Sequence, residues 1–526
     1  MLSNDWLQEK HTFCHITLRD IDVPDLDVER MITDLKRLHI EVATLFAGGY
    51  IATYPTELPF QRTCPGLNGR DLFGEILAAA EAVGIVIIPC IDIGEIPLDI
   101  ARSQPELAAL DLKGKLREKS AVTALPCSLG PYIRDCSDQM LKELVERYDI
   151  QSIKWAGASN NGTPMGCQCD YCKSRYLKDT GSPLPSEGFA QNRTYTTWRS
   201  RIVQEGVDTL KRNSSKYGLT VVGNNVWHLG RNKNDICAIA ESVDLAQIEV
   251  QSRFYHWMNE GQSEQVWEHF STPIESTRYV AAVSKNPPWV VASYFLAWPW
   301  RWSGVPAAEQ FLYLAQVAAN GGCPGVNFTT GAPHQHYDQR GMAALEKLFG
   351  FFTKHGEIYQ GDRSAARLAV IYDHSTALLD IDQGEKIYLS ELNGVQEVLN
   401  RHHIPFDLIS ADRHGDIDPT RHCACIIAGA TALSRENAEF FLSLEAAHSI
   451  GCVWTGAPGT WDAAKQETVE EQTWWSRLGT RSIGQPRLFL DIDEPAPPQS
   501  YASVIDPTHP LCDKIEASVM AMADYY

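Results

Sequence analysis

The chain has 526 residues, 44% of them hydrophobic and 21% charged, which is the composition of an ordinary globular protein and excludes disordered and fibrous classes. Its 46 basic and 66 acidic residues give a net charge of −20. That charge argues against nucleic acid and anionic membranes as partners, because both need a basic surface. The apolar runs are far shorter than the roughly 20 residues that span a bilayer, and the N-terminus lacks the basic start and apolar segment of an export signal. We therefore predict a cytoplasmic protein with no membrane association.

Short β-branched runs alternate with stretches of helical periodicity from the N-terminus to about residue 352. Apolar residues recur at helical spacing in residues 28–38 and 71–83. The candidate strands are residues 12–17, 41–47, 84–91, 121–126, 152–156, 219–224, 245–251, 289–294 and 325–329. Strands that alternate with helices and are apolar on both faces form a parallel sheet covered by helices. The pattern predicts a (β/α)8 TIM-like barrel with one strand in an excursion, and a doubly wound sheet is the alternative.

The strand and helix pattern restarts after residue 361. Strands are predicted at 366–372, 423–428 and 452–455 and helices at 386–402 and 436–448, which is the repeat of a flavodoxin-like α/β domain. Its glycines form neither a G-x-G-x-x-G nor a G-x-C-x-G pattern, so neither a dinucleotide site nor amidotransferase chemistry is indicated. We predict a barrel at 1–361, this smaller domain at 362–480 and a Pro-rich C-terminal extension at 481–526. The smaller domain is expected to assemble the protein into a homo-oligomer, a dimer or a trimer.

A barrel of this kind carries its functional residues at the C-terminal ends of the strands. His15 ends the first predicted strand, and its ordinary pKa near 6.5 suits general acid or base work near neutrality. Asp135, next to Arg134, is the best placed carboxylate. The alternatives are a capping histidine and an ordinary helix-start aspartate. Asp20 and Asp22 lie a few residues after the first strand, Asp92 and Glu95 follow the third, and Glu249 lies inside its own strand. Carboxylates are thus scarce at the strand ends.

Aromatic side chains follow two of the predicted strand ends. Trp298, Trp300 and Trp302 form a Pro-rich cluster, and Tyr50 lies on the loop after the second strand. Aromatic faces at a barrel mouth suit sugar rings or an apolar aglycone, although they also simply cap a barrel rim.

Cys167, Cys169 and Cys172 stand at C-x-C-x-x-C spacing. Three thiolates at this spacing can share one Zn²⁺, with a fourth ligand from Cys127, Cys136 or elsewhere. No histidine lies nearby, so the metal would be structural and catalysis is expected to need no cofactor. The alternative is a set of reduced thiols, since 14 cysteines in 526 residues are too dilute for a disulfide scaffold.

The layout resembles the family-42 β-galactosidases, which combine a barrel with a flavodoxin-like domain. Residues 366–374 and 426–430 resemble their trimerisation domain, and the three-cysteine motif resembles their cysteine-cluster loop. The resemblance covers nearly the whole chain in architecture. That family places its catalytic acid in an Asn-Glu pair after a barrel strand, whereas residues 155–158 read Trp-Ala-Gly-Ala. The resemblance therefore does not carry over the retaining β-galactosidase chemistry.

The layout also resembles the family-156 inverting exosialidases, barrels whose acid and base are a histidine and an aspartate. This resemblance implies those roles for His15 and Asp135, at the roughly 6.5–9.5 Å separation of inverting enzymes. It implies that arginine pairs with the substrate carboxylate, for which the candidates are Arg134 and Arg199. Hydroxyl or N-acyl groups of the sugar would be held by Asn225 or Asn327.

Three functions remain in competition at this level. The first is an inverting exo-glycosidase that releases terminal sialic acid by means of His15 and Asp135. The second is a glycosidase for a neutral sugar that uses Asp92, Glu95 or Glu249. The third is a non-catalytic barrel that binds carbohydrate. In each case the expected partner is a glycan or a small glycoside.

Overall fold

In the computed structural model, the described residues are 4–157, 166–187, 192–227, 236–250, 254–259, 262–267, 270–296, 303–329, 331–360, 364–383, 387–456, 458–462, 467–468, 500–503 and 519–523. The chain divides into two compact units. The first consists of Met1–Ser364 with Ile381–Glu385, and the second of Ala365–Asp380 with Lys386–Tyr526.

The first unit contains a closed barrel of eight parallel strands. The strands are β1 (Phe13–Ile16), β2 (Val42–Gly49), β3 (Val86–Asp92), β4 (Ser152–Ala156), β5 (Thr220–Trp227), β6 (Leu245–Val250), β7 (Trp289–Ser293) and β8 (Cys323–Phe328). Each strand pairs with its neighbours in chain order, and β1 closes the barrel by pairing with both β2 and β8. The predicted (β/α)8 barrel is confirmed.

Helices follow the barrel strands in the first unit. They are α1 (Val28–Arg37), α2 (Leu72–Glu81), α3 (Ser137–Arg147), α4 (Asp170–Thr180), α5 (Arg193–Lys216), α6 (Ile236–Glu241), α7 (Thr272–Val283), α8 (Ala307–Ala319) and α9 (Met342–Lys354). In α1, the buried side chains of Met31, Ile32 and Leu35 recur at helical spacing. The Asp27 side chain caps this helix by accepting a hydrogen bond from the Arg30 backbone N–H.

One of the nine candidate strands lies outside the barrel. Thr123–Ala124, from the predicted strand at 121–126, pairs antiparallel with Ile96–Pro97 in the segment between β3 and α3. The short helix Leu98–Ser103 belongs to the same segment. The expected excursion is thus confirmed, and it lies between the third and fourth barrel strands.

The N-terminal half of the barrel interior is apolar. Buried side chains from different strands form one cluster, which includes Phe13, Val42, Ile88, Val222, Leu245, Trp289 and Val291. Trp6, from the N-terminal 3-10 helix Asn4–Gln8, packs edge-on against Trp289 with ring centroids 6.0 Å apart. This packing fills the N-terminal end of the barrel, so a ligand site inside it lies toward the C-terminal ends of the strands.

The second unit contains a four-stranded parallel sheet. Its strands β9 (Leu368–Tyr372), β10 (Phe406–Ser410), β11 (Ala424–Ile427) and β12 (Gly451–Trp454) lie in the order β10-β9-β11-β12. The helices are α10 (His374–Gln383), α11 (Ile387–Arg401) and α12 (Arg435–His448). This is the strand order with which a flavodoxin-like sheet begins. No helix among the described ranges is both long and apolar enough to cross a membrane.

Candidate active site

Polar side chains occupy the inward positions from the middle of the barrel strands to their C-terminal ends. Residues two apart on a strand share a face, so the positions that follow the apolar cluster on each strand also point inward. We call the following set the polar ring: His15, Thr44, Asp92, Lys154, Gln247, Glu249, Ser293 and Asn327. These are the positions at which barrels of this type carry their function.

His15 is buried in the polar ring. Its Nδ1 lies 2.7 Å from the hydroxyl oxygen of Thr44, which is its partner in the register of β1 and β2. Burial, together with the positive charge of Lys154, lowers the pKa of His15 well below its ordinary value. The imidazole is therefore neutral near pH 7, so it carries no proton to give as a general acid and takes one up only weakly.

Asp92 ends β3 and is partly exposed at the barrel mouth. Its carboxylate accepts a hydrogen bond of 2.9 Å from the Gly94 backbone N–H. Burial raises the pKa of Asp92, and the negative charge of Glu95 acts in the same direction. A carboxyl group with a raised pKa retains its proton at higher pH, as a general acid requires.

Glu249 and Lys154 bring opposite charges into the same interior. Glu249 lies on β6 and is partly exposed, whereas Lys154 on β4 is fully buried. Burial lowers the pKa of the Lys154 amine, while the charges of Cys90, Glu249 and Asp92 oppose that shift. The ring thus offers two carboxyl groups that a substrate can reach and one cation behind them.

A network of hydrogen bonds fixes the loop that follows β2. The Glu143 carboxylate, on α3, accepts from the Tyr54 hydroxyl at 2.9 Å and from the Thr56 hydroxyl at 2.7 Å. It also accepts from the Glu57 backbone N–H at 3.0 Å. The Gln61 amide nitrogen donates to the Tyr54 oxygen at 3.0 Å. One helix carboxylate therefore organises several residues of the loop.

The same network reaches the polar ring through Gln61. Its amide oxygen accepts from the Gly49 backbone N–H at 2.8 Å, and the Tyr50 backbone N–H donates to the Asp92 carbonyl at 3.1 Å. Gly49 has a positive φ of 97°, and a Cβ there would lie 1.9 Å from the Asp92 carbonyl oxygen. Only glycine fits this approach, which sets Tyr50 beside Asp92.

Asp135 and His15 have different hydrogen-bond partners in the structure. Asp135 lies in a π-helical turn, Tyr132–Cys136, where Arg134 donates two parallel hydrogen bonds to its carboxylate at 2.9 and 2.8 Å. Both side chains are about half exposed, and Arg134 lowers the pKa of Asp135. His15 bonds to Thr44 instead. The catalytic pairing of His15 with Asp135 stays a prediction.

The other predicted binding residues fall in several environments. Asn327 lies in the polar ring, where it pairs in register with both His15 and Ser293. Arg199 is buried on α5 and acts electrostatically on Tyr195, which packs against the cysteine motif. Trp298, Trp300 and Trp302 lie outside the described residues, as does the side chain of Asn225.

The cysteine motif gains a fourth thiol in the structure. The Sγ atoms of Cys127, Cys167, Cys169 and Cys172 all lie within 4.8 Å of one another. Cys127 Sγ is 3.4 Å from Cys169 Sγ and 3.6 Å from Cys172 Sγ. A tetrahedral zinc with Zn–S bonds of about 2.3 Å needs sulfurs about 3.8 Å apart. These four thiols fit that geometry, and Cys136 is not among them.

Sequence reasoning missed Lys154 and Gln247. Carboxylates at strand ends were sought, whereas these two residues lie inside their strands and carry no carboxylate. A signal was present, because each interrupts an otherwise largely apolar strand at an inward position. A polar residue at such a position indicates function or an internal partner.

A family profile described as "Hypothetical glycosyl hydrolase 6" matches residues 27–153. The matched segment contains Asp92 and Asp135, and Glu249 lies beyond it. No curated protein sequence matches the chain.

Several solved structures share the fold. A β-galactosidase from Bacillus circulans sp. alkalophilus is 16% identical with a TM-score of 0.64, over 88% of this chain and 73% of that one. An α-L-fucosidase isoenzyme 2 from Paenibacillus thiaminolyticus is 16% identical with a TM-score of 0.62, over 85% of this chain and 64% of that one. A GH42 β-galactosidase from G. stearothermophilus is 13% identical with a TM-score of 0.64, over 86% and 72%. The chain thus spans less than two thirds of the fucosidase, and what it shares with these structures is the fold.

Proposed function

We propose that the protein is a glycoside hydrolase for a neutral sugar, in which Asp92 donates the proton and Glu249 supplies the second carboxylate. The observation that carries this proposal is the pair of partly exposed carboxyl groups in the polar ring. Glycosidases generally use two such groups, one protonated and one ionised. The matched glycosyl hydrolase profile and the fold shared with β-galactosidases and a fucosidase support the reaction class.

Asp92 suits the acid role because burial raises its pKa. It would protonate the glycosidic oxygen as the bond to the anomeric carbon breaks. The Glu249 carboxylate would stabilise the positive charge that develops at the anomeric carbon. A solvent water would then form the new bond to that carbon, and the proton it releases would restore Asp92 to its acid form. His15, neutral because burial lowers its pKa, would act as a hydrogen-bond partner of the sugar rather than as the proton donor.

A panel of nitrophenyl glycosides tests this function, with β-D-galactoside, α-L-fucoside and α-N-acetylneuraminide as its first members. We expect turnover of a neutral glycoside, which Asp92→Asn and Glu249→Gln each lower by about 10²-fold or more. The matched control is Glu346→Gln on α9, since Glu346 is an exposed carboxylate in an ion pair with Arg37 at 2.9 Å and does not act on Asp92. Full activity in the Asp92 or Glu249 variant would refute the assignment.

The exosialidase alternative rests on the placement of His15 beside Asn327 in the ring. It makes the opposite prediction on the same panel. Turnover of the sialoside alone, abolished by His15→Ala and Asp135→Ala but not by Asp92→Asn, would replace our proposal with that alternative.

We also propose that the four clustered cysteines hold a structural zinc. Cys169 caps α4 and Cys172 lies in its first turn, whereas Cys127 follows the excursion between β3 and α3. A metal there would join these two segments, and four thiolates leave no open position for catalysis. Elemental analysis should find about one zinc per chain, absent in Cys127→Ser and retained in Cys136→Ser. A metal-free wild type would refute the site.

The second unit is proposed to assemble the protein into a dimer or a trimer. Light scattering of the purified chain tests this directly. A monomeric mass across the concentration range would contradict it.

A further inference from the structure

Lys154 on β4 and Gln247 on β6 both point into the barrel interior, on strands that are separated by β5. Lys154 pairs in register with Val222, and Val222 pairs with Leu245, two residues before Gln247. Val222 and Leu245 both belong to the apolar cluster that fills the barrel. Partners in register and residues two apart share a face, so Lys154 and Gln247 also point inward.

Both side chains are completely buried, each with 0% of its surface exposed. Within the described part of the chain, neither Lys154 Nζ nor the two amide atoms of Gln247 has a hydrogen-bond partner. Native proteins pair nearly all such groups, because leaving them unpaired inside the fold is costly. Other buried groups of the described chain, such as Gln310, also lack partners. What distinguishes Lys154 and Gln247 is their inward position, two residues before the level of Asp92 on β4 and two residues before Glu249 on β6. Unpaired groups directly beneath the two carboxyl groups point to a ligand that supplies the missing partners.

The missing partners have a definite chemistry. Lysine offers only donors, whereas glutamine offers donors and an acceptor. A hydroxyl group can accept a hydrogen bond from the lysine, and it can both donate to and accept from the glutamine. A carboxylate would satisfy only the donors, and it would also approach Asp92 and Glu249, whose charges already act on Lys154. The ligand class that fits is therefore an uncharged polyol such as a sugar ring.

We propose that Lys154 and Gln247 form the floor of a sugar subsite. They are unpaired and covered in the free protein. Hydroxyl groups of the sugar would pair with them once the side chains above them move aside to admit it. The proposal rests on the proposed glycosidase site and names two of its specificity-determining residues. It also explains why polar side chains are retained at positions where Met and Leu would fill the interior without unpaired groups.

The test uses the full chain with D-galactose, L-fucose and N-acetylneuraminic acid as calorimetric probes. We expect a neutral sugar to bind the wild type, and Lys154→Met and Gln247→Leu each to weaken that binding by at least about tenfold. The matched control is Gln310→Leu on α8, because Gln310 is 1% exposed and both its amide atoms are equally without partners in the described chain. Its binding should equal that of the wild type.

Thermal unfolding of the free protein separates this role from a structural one. Because the two side chains have no partners to lose, Gln247→Leu should unfold at or above the wild-type temperature while binding sugar poorly. A fall in unfolding temperature, or unchanged binding in both variants, would overturn the proposal, as would binding of the acidic sugar alone. The proposed catalysis is tested separately. If the two variants bind sugar poorly but the wild type hydrolyses no glycoside, the subsite is retained and the glycosidase is rejected.

Discussion

Replacing Glu143 with alanine should release the loop that carries Tyr50. The carboxylate accepts from the hydroxyls of Tyr54 and Thr56 and from the Glu57 backbone N–H, at 2.7 to 3.0 Å. A hydrogen bond to a charged group contributes about 1.5–3 kcal/mol. Tyr54 is fully buried and would lose its acceptor outright, whereas the other two donors lie near water. Glu143→Ala should therefore lower the free energy needed to open the loop by about 3 kcal/mol.

Amide hydrogen exchange across residues 49–61 measures this change. Since about 1.4 kcal/mol corresponds to a factor of ten, protection should fall roughly 100-fold in Glu143→Ala. Glu146→Ala on the same helix is the matched control: Glu146 is 63% exposed, and its ion pair with Lys142 spans 3.7 Å. That variant should change protection by less than about threefold. Equal losses in the two variants, or none in Glu143→Ala, would refute the anchoring role.

Three further predictions concern stability. Burial raises the pKa of Asp373 in the second unit to about 6. The folded protein therefore keeps this proton where the unfolded chain has lost it, and the wild type should lose about 3 kcal/mol of stability as the pH rises from about 4 through 6. Thermal unfolding at a series of pH values should show that Asp373→Asn abolishes this loss. Gly49→Ala should unfold at a much lower temperature than Gly69→Ala. Both glycines have a positive φ, but only a Cβ at Gly49 would meet a backbone atom. Similar melting temperatures in the two variants would contradict this. Ser214→Ala should cost about 1–3 kcal/mol, since Trp155 Nε1 donates to that hydroxyl at 3.0 Å in the core; a neutral effect in denaturant unfolding would show that another acceptor replaces it.

The barrel was predictable because its signals are local. Runs such as residues 84–91 are apolar on both faces, and a strand has such a sequence when helices cover both sides of its sheet. The excursion was predictable from the count of candidates alone. Which candidate left the barrel was not, because the pairing of Thr123–Ala124 with Ile96–Pro97 is decided by tertiary contacts.

The candidate site was only partly predictable. His15 and Asn327 were found from their positions at strand ends, and they are neighbours in the ring. Asp135 also follows a predicted strand, but that strand belongs to the excursion, so its position carried no information about the barrel mouth. The fourth thiol was left open between Cys127 and Cys136, since a ligand distant in sequence from its motif is fixed only by the folded chain.

The central claim is that Asp92 protonates the leaving group, and one comparison tests it most directly. Asp92→Asn and the wild type are assayed on a 2,4-dinitrophenyl glycoside, whose leaving group needs no proton, and on the methyl glycoside of the same sugar. We predict that the variant loses about 10²-fold or more on the methyl glycoside and far less on the dinitrophenyl glycoside. Equal loss on both substrates, or full activity on the methyl glycoside, would contradict the role of Asp92.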